Sequence, residues 1–147
     1  MSENLRVLAV DTATKVQAVA LMPCEAVPDH RQHLVRHNHG SSLLETLHEI
    51  LGNQDLSVRD LDLLVVGLGP GSFTGLRVGM ATCKALARGA EIPIVGVSTL
   101  QAMAEPLASR IPGMPVCAAI DAHRGQIYAG FFLGEGGALR SHVPERA

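Results

Sequence analysis

The chain has 147 residues, 47% of them hydrophobic and 18% charged, with a formal charge of −2. That composition excludes a disordered chain and suits one domain or two small lobes. It offers no basic run able to neutralise several phosphates, so any RNA must be held mainly by another protein.

In chain order, Leu5 to Val10 is an apolar run ending at Asp11-Thr12, and Val16 to Met22 is a second; together they predict a β-hairpin. His30 to Asn38 predicts a third, more polar edge strand. Leu43, Leu44, Leu47, Ile50 and Leu51 share one helical face, Ser42 and Glu45 have the spacing of a capping box, and Gly52 supplies a stop. These signals predict a helix over residues 42–51. Residues 60–67 carry the apolar run Leu61-x-Leu63-Leu64-Val65-Val66, the pattern of a strand covered on both faces. It leads into Gly69-Pro-Gly-Ser-Phe-Thr-Gly75 and a helix from Thr74 to about Arg88, stopped by Gly89.

Ile92 to Val97 predicts a further strand, with a helix from about Ser98. Pro112 to Pro115 reads as a linker, and Val116–Ile120 and Gln126–Leu133 as a second pair of strands. From Gly134 the sequence is Gly-rich and polar and is expected to be a flexible tail. Strands mixed with crossover helices argue for an α/β fold with a central sheet. The expected division is an N-terminal lobe over 1–111 and the start of a second over 112–147. Ala9-Val10-Asp11 and Ala119-Ile120-Asp121 echo each other, each ending a strand that opens a hairpin. That echo points to a duplicated fold of the actin, sugar-kinase and Hsp70 type.

The segment 69–75 allows two readings. A strand entering a Gly-rich turn at a helix start aims backbone N–H groups at one spot, which suits a phosphate; Asp11, Thr12, Gly69, Gly71, Ser72, Thr74 and Gly75 are then the candidate loop residues. It matches neither G-x-x-x-x-G-K-[ST] nor G-x-G-x-x-G, and the other reading is a tight turn that lets the helix approach the sheet. In the helix that follows, Gly75, Gly79, Cys83 and Ala87 recur every four residues as a small-residue ridge. A helix with so narrow a polar stripe is either sandwiched inside the domain or shared with a partner.

His30, His33, His37 and His39 cluster, but the segment reads as extended, and His48-Glu49 fails H-E-x-x-H because residue 52 is Gly. No nucleophile elbow is present, and Cys24, Cys83 and Cys117 form no C-x-x-C, so they read as reduced thiols, with Cys83 and Cys117 as small core residues. No bound metal is expected. The N-terminal residues lack the apolar run of a signal peptide, and the uncharged stretch from Leu63 to Leu76 is broken by glycines and a proline. A soluble, cytoplasmic protein with no membrane partner is the expectation.

Leu8-Ala-Val-Asp-Thr-Ala-Thr14, Val66-Gly-Leu-Gly-Pro-Gly-Ser-Phe-Thr-Gly-Leu-Arg-Val-Gly79, Gly96-Val-Ser-Thr-Leu-Gln-Ala102 and Ile120-Asp-Ala-His-Arg-Gly-Gln-Ile-Tyr128 together resemble the TsaB (YeaZ) family of tRNA threonylcarbamoyladenosine biosynthesis. The resemblance runs from about residue 5 to 133. It implies an actin-like, ribonuclease H-like (ASKHA) mixed central sheet with flanking helices, here with the second lobe truncated. It implies a non-catalytic subunit that supports the transferase TsaD together with the ATPase TsaE, touches tRNA only through the complex, and forms a homodimer when alone. No cofactor is implied beyond ATP or ADP held by the complex.

The same resemblance places Thr99 and Met103 where the related TsaD carries the two histidines of its metal-binding H-x-x-x-H; neither side chain is an imidazole ligand. It also places the partner surface on the two N-lobe helices, at Leu43, Leu47 and Ile50 of the first and Gly75, Leu76, Gly79, Met80, Cys83 and Ala87 of the second. The rival functions are an actin-like ATPase or kinase using Asp11 and the 69–75 loop, and a glycoprotease-like metallopeptidase.

Overall fold

A computed structural model describes residues 5–22, 29–34, 39–135 and 138–146. Its contacts divide the chain into two units, residues 1–68 with 72–96, and residues 69–71 with 97–147.

In the first unit, strands β1 (Val7–Asp11) and β2 (Val16–Met22) form the expected hairpin, with Ala9 opposite Ala20. β3 (Asp29–Leu34) extends it antiparallel, and β4 (Leu63–Gly67) lies parallel to β1 on its other side, Val10 beside Val66. With β5 (Ile94–Val97) the sheet order is β3-β2-β1-β4-β5. Alternation decides which side chains go inside: Leu8, Val10, Val19, Leu21, Leu64 and Val66 point to one face and are buried there. Helices α1 (His39–Gly52) and α2 (Phe73–Ala90) supply Leu43, Leu47, Ile50, Cys83 and Ala87 to the same core. Each fully buried Leu contributes roughly 1.5–3 kcal/mol over an exposed one.

Helix α1 starts at His39, three residues before the expected capping box, and Ser42 is not its cap. The Ser42 hydroxyl instead donates to Gln17 Oε1 at 3.3 Å, and Gln17 Nε2 donates to Thr46 Oγ1 at 3.2 Å. Gln17 is fully buried, so these bonds satisfy its amide and fix α1 on β2. The capping box that does form is Ser57 with Asp60, on the short 3-10 turn before β4. Asp60 is held below the usual carboxylate range first by the Ser57 hydroxyl and then by the Ser57 amide. Helix α2 also runs past the expected stop at Gly89. It ends where Glu91 takes a left-handed φ of 58°.

In the second unit, α3 (Thr99–Ala108), capped by the Ser98 hydroxyl, packs Leu100, Ala104 and Ala108 on the buried Val116, Ala118 and Phe132. The expected division at residue 111 puts this helix in the first lobe, whereas its contacts put it in the second unit. β6 (Pro115–His123) and β7 (Gln126–Glu135) are the second hairpin. The expected flexible tail contains a strand instead: β8 (Ala138–Arg146) pairs antiparallel with β7, because Leu139, Val143 and their neighbours can extend the ladder. The sheet order is β6-β7-β8.

Candidate functional site

The end of β1 and the start of α2 are tied by short polar bonds. Thr12, 2% exposed, donates its hydroxyl to the Gly75 carbonyl at 2.7 Å, and the Ser72 amide donates to the Ala13 carbonyl at 2.6 Å. The Ala13 amide donates to Asp11 Oδ1 at 2.7 Å, turning the chain sharply after the strand. A Cβ on Gly75 would collide with the Thr12 carbonyl oxygen, and one on Gly79 with Thr12 Oγ1. The glycines therefore let the helix backbone lie directly against Thr12.

This geometry corrects the expected partner surface. Gly75, Gly79, Cys83 and Ala87 form the inner face of α2, buried against the unit's own β1 and core. Leu43, Leu47 and Ile50 are equally internal, at 0%, 4% and 0% exposure. All seven are buried within the unit itself rather than presented on its surface. Burial pushes the Cys83 thiol up to about 11, as for a thiol surrounded by hydrocarbon. Cys117, read from the sequence as a core residue, is exposed, because it lies on the side of β6 turned away from α3.

The candidate phosphate loop comes together at Asp11, Thr12, Ser72 and Gly75, but its polar groups serve the backbone. The Ser72 hydroxyl accepts from the Gly75 amide at 3.2 Å, and the Leu76 amide donates to the Ser72 carbonyl at 2.9 Å. With the Ser72 amide also taken, three donors near the helix start are committed within the protein. Asp11 lies against Gly67, where any Cβ would strike its carboxylate. Gly69 adopts φ 87°; its amide donates to Thr99 Oγ1 at 3.2 Å and its carbonyl accepts from the Thr99 amide at 2.9 Å. Thr74 is exposed and Gly71 half-buried. The arrangement works as a lock that seats α2, which is the tight-turn reading.

Thr99 is 4% exposed and engaged by Gly69, whereas Met103 is exposed on α3. Among the described residues no group of three or more His, Cys, Asp or Glu side chains is arranged to hold a metal ion. His30 and His33 lie on β3 and His39 begins α1, while His37 falls outside the described residues. No described helix is long and apolar enough to cross a membrane.

The outward side of α1 and α2 is different. Phe73 is 68% exposed and Leu44 55%; Leu76 and Met80 are half-buried, and Met80 packs against the core. Arg77 holds its guanidinium 4.0 Å above the Phe73 ring. Phe73, Leu76 and Met80 are spaced so that they lie along one side of α2, while Leu44 is exposed on α1, the helix that packs beside it. Of the expected interface residues only Leu76 and Met80 lie along that side of α2. Sequence reasoning missed Phe73 because it placed the helix start at Thr74, and missed Leu44 because it assigned that residue to the Leu43–Leu47 face. A helical wheel turns Leu44 about 100° from Leu43.

A family model described as "TsaD: tRNA N6-adenosine threonylcarbamoyltransferase" matches residues 31–146. The chain is 41% identical over 124 residues to the tRNA threonylcarbamoyladenosine biosynthesis protein TsaB of Escherichia coli, covering 84% of this chain and 53% of that protein. It is 32% identical over 142 residues to TsaB of Bacillus subtilis, covering 97% of this chain and 61% of the relative. The solved structure of YeaZ from Pseudomonas aeruginosa superposes with a TM-score of 0.88 at 28% identity, over 97% of this chain and 66% of that one. The chain thus spans between half and two thirds of these relatives.

Proposed function

This chain belongs to the TsaD family as one of its TsaB-like members, and on that premise we propose that it serves tRNA threonylcarbamoyladenosine biosynthesis as a non-catalytic partner of a TsaD-type transferase. The observation that carries the docking part of this reading is the outward side of α2, where the exposed Phe73 stands in line with the half-buried Leu76 and Met80, with Leu44 exposed on α1. Exposed large apolar side chains grouped on one surface mark interaction sites, and aromatic anchors with Arg dominate binding energy. The TsaD helices pack there, and a second copy of this chain occupies the same surface when TsaD is absent. TsaE joins the assembly, and tRNA is reached through the complex, in keeping with the charge of −2. Thr99 and Met103 support the non-catalytic part, since neither replaces an imidazole ligand.

The test is co-purification of the chain with TsaD, followed by threonylcarbamoylation of tRNA with TsaE and ATP. Stable co-purification, with no modification by the chain alone, is expected. Modification by the lone chain, or no association with TsaD, overturns the proposal.

A further inference from the structure

Helix α2 carries positive charge that its own structure does not use. Arg77, Lys84 and Arg88 are its only charged residues; all three are exposed, and no carboxylate lies between Phe73 and Ala90. At about 100° per residue, Lys84 falls about 20° from Arg77 on one side and Arg88 about 20° on the other, so the three form one stripe. The helical rise sets them about 10.5 Å and about 6 Å apart along the axis.

Helix stability does not account for this stripe. Lys84 and Arg88, four residues apart, repel one another. Arg88, in the last turn, complements the negative end of the helix, but Lys84 and Arg77, which lies one turn in from the positive end, do not. Among the described residues no carboxylate pairs with any of the three, and the Arg77 guanidinium rests on the Phe73 ring instead. That stacking holds one charge of the stripe in place beside an exposed aromatic ring. The exposed residues between the charges are Ala81 and Ala85, so no long side chain keeps another helix from lying along α2.

Resting on the docking of a TsaD-type transferase proposed above, we propose that the Arg77–Lys84–Arg88 stripe receives an acidic helix of that transferase. The carboxylates of that helix stand about 10.5 Å and about 6 Å apart, facing the three cations. Phe73 and Met80 border the stripe, so charge pairs there lie beside apolar contacts, the arrangement of a polar rim around an interface core. A protein suits this stripe better than RNA: three cations on a chain of net charge −2 neutralise few phosphates. A second copy that set α2 against α2 about a two-fold axis would bring the positive stripes together, so the stripe favours the transferase over self-association.

The test titrates the transferase with the full chain at about 50 mM and about 500 mM NaCl, using the unmodified chain and the triple variant Arg77→Gln, Lys84→Gln, Arg88→Gln. Glutamine preserves helix propensity, and an unchanged thermal midpoint confirms the fold. The unmodified chain is expected to bind about ten-fold more weakly at high salt. The variant is expected to bind about ten-fold more weakly at low salt and to lose most of its salt dependence. Equal affinity and an equal salt response in the variant would overturn the stripe's role while leaving the docking intact. Absence of association at either salt would overturn both. Two further measurements use the lone chain: binding of unmodified tRNA, and self-association by sedimentation. Either one, if salt-sensitive and lost in the triple variant, would assign the stripe to phosphates or to a second copy and overturn the proposal.

Discussion

The substitution that most sharply separates a buried lock from a docking ridge is Gly79→Ala. The added methyl would meet Thr12 Oγ1, whose hydroxyl is bonded to the Gly75 carbonyl at 2.7 Å in a fully buried setting. Either Thr12 turns away and loses that bond, at about 1–3 kcal/mol if a group is left unsatisfied, or α2 lifts from β1 and overpacks, at about 1–3 kcal/mol. Alanine returns about 1 kcal/mol through helix propensity, so the net destabilisation is about 0–2 kcal/mol. Urea unfolding measures it, and Thr12→Ala in the Gly79→Ala background should recover much of the loss, giving a coupling above about 0.5 kcal/mol. On an exposed ridge, Gly79→Ala would leave the protein as stable or about 1 kcal/mol more stable. That result, with no coupling to Thr12, would refute the seating of α2 described above.

The remaining expectations are simpler to state. Gly67→Ala forces its methyl into the Asp11 carboxylate and should cost about 1–3 kcal/mol, read as a lowered midpoint in thermal unfolding. The raised Cys83 thiol stays protonated in the fold at pH values where the unfolded chain, with the ordinary thiol value of about 9, has already ionised. Stability therefore falls as pH rises from about 9 toward 11, by about 3 kcal/mol in the limit of full burial, and Cys83→Ala should flatten that slope in urea titrations at each pH. With Cys24 replaced by Ala, a thiol reagent at pH 8 should label Cys117 in the folded protein and reach Cys83 only on unfolding.

The sequence made the strands and their hairpins legible because alternation has a fixed period: Leu8 and Val10, Leu64 and Val66 fall inside as their positions demand. The limits of α1 and α2 were less legible. Ser42 has cap-like spacing, but Gln17 on a strand 25 residues away claims its hydroxyl, a contact no local pattern contains. The glycine ridge was visible, while its direction was not, since small residues suit a close approach to β1 as well as to a partner helix. Only the fixed position of Thr12 decides between them. Phe73 and Leu44 escape notice because single apolar residues are ordinary in sequence, and which of them stays exposed is fixed only by how each helix seats on the sheet.

As proposed above, the outward surface of α1 and α2 docks a TsaD-type transferase, while their inner surfaces build the core. A binding titration of TsaD with the Leu44→Asp, Phe73→Glu variant tests it most directly. The account predicts affinity reduced by about a hundred-fold, two anchors at roughly 1.4 kcal/mol each, with a thermal midpoint close to that of the unmodified chain. Unchanged affinity in that folded variant would contradict it.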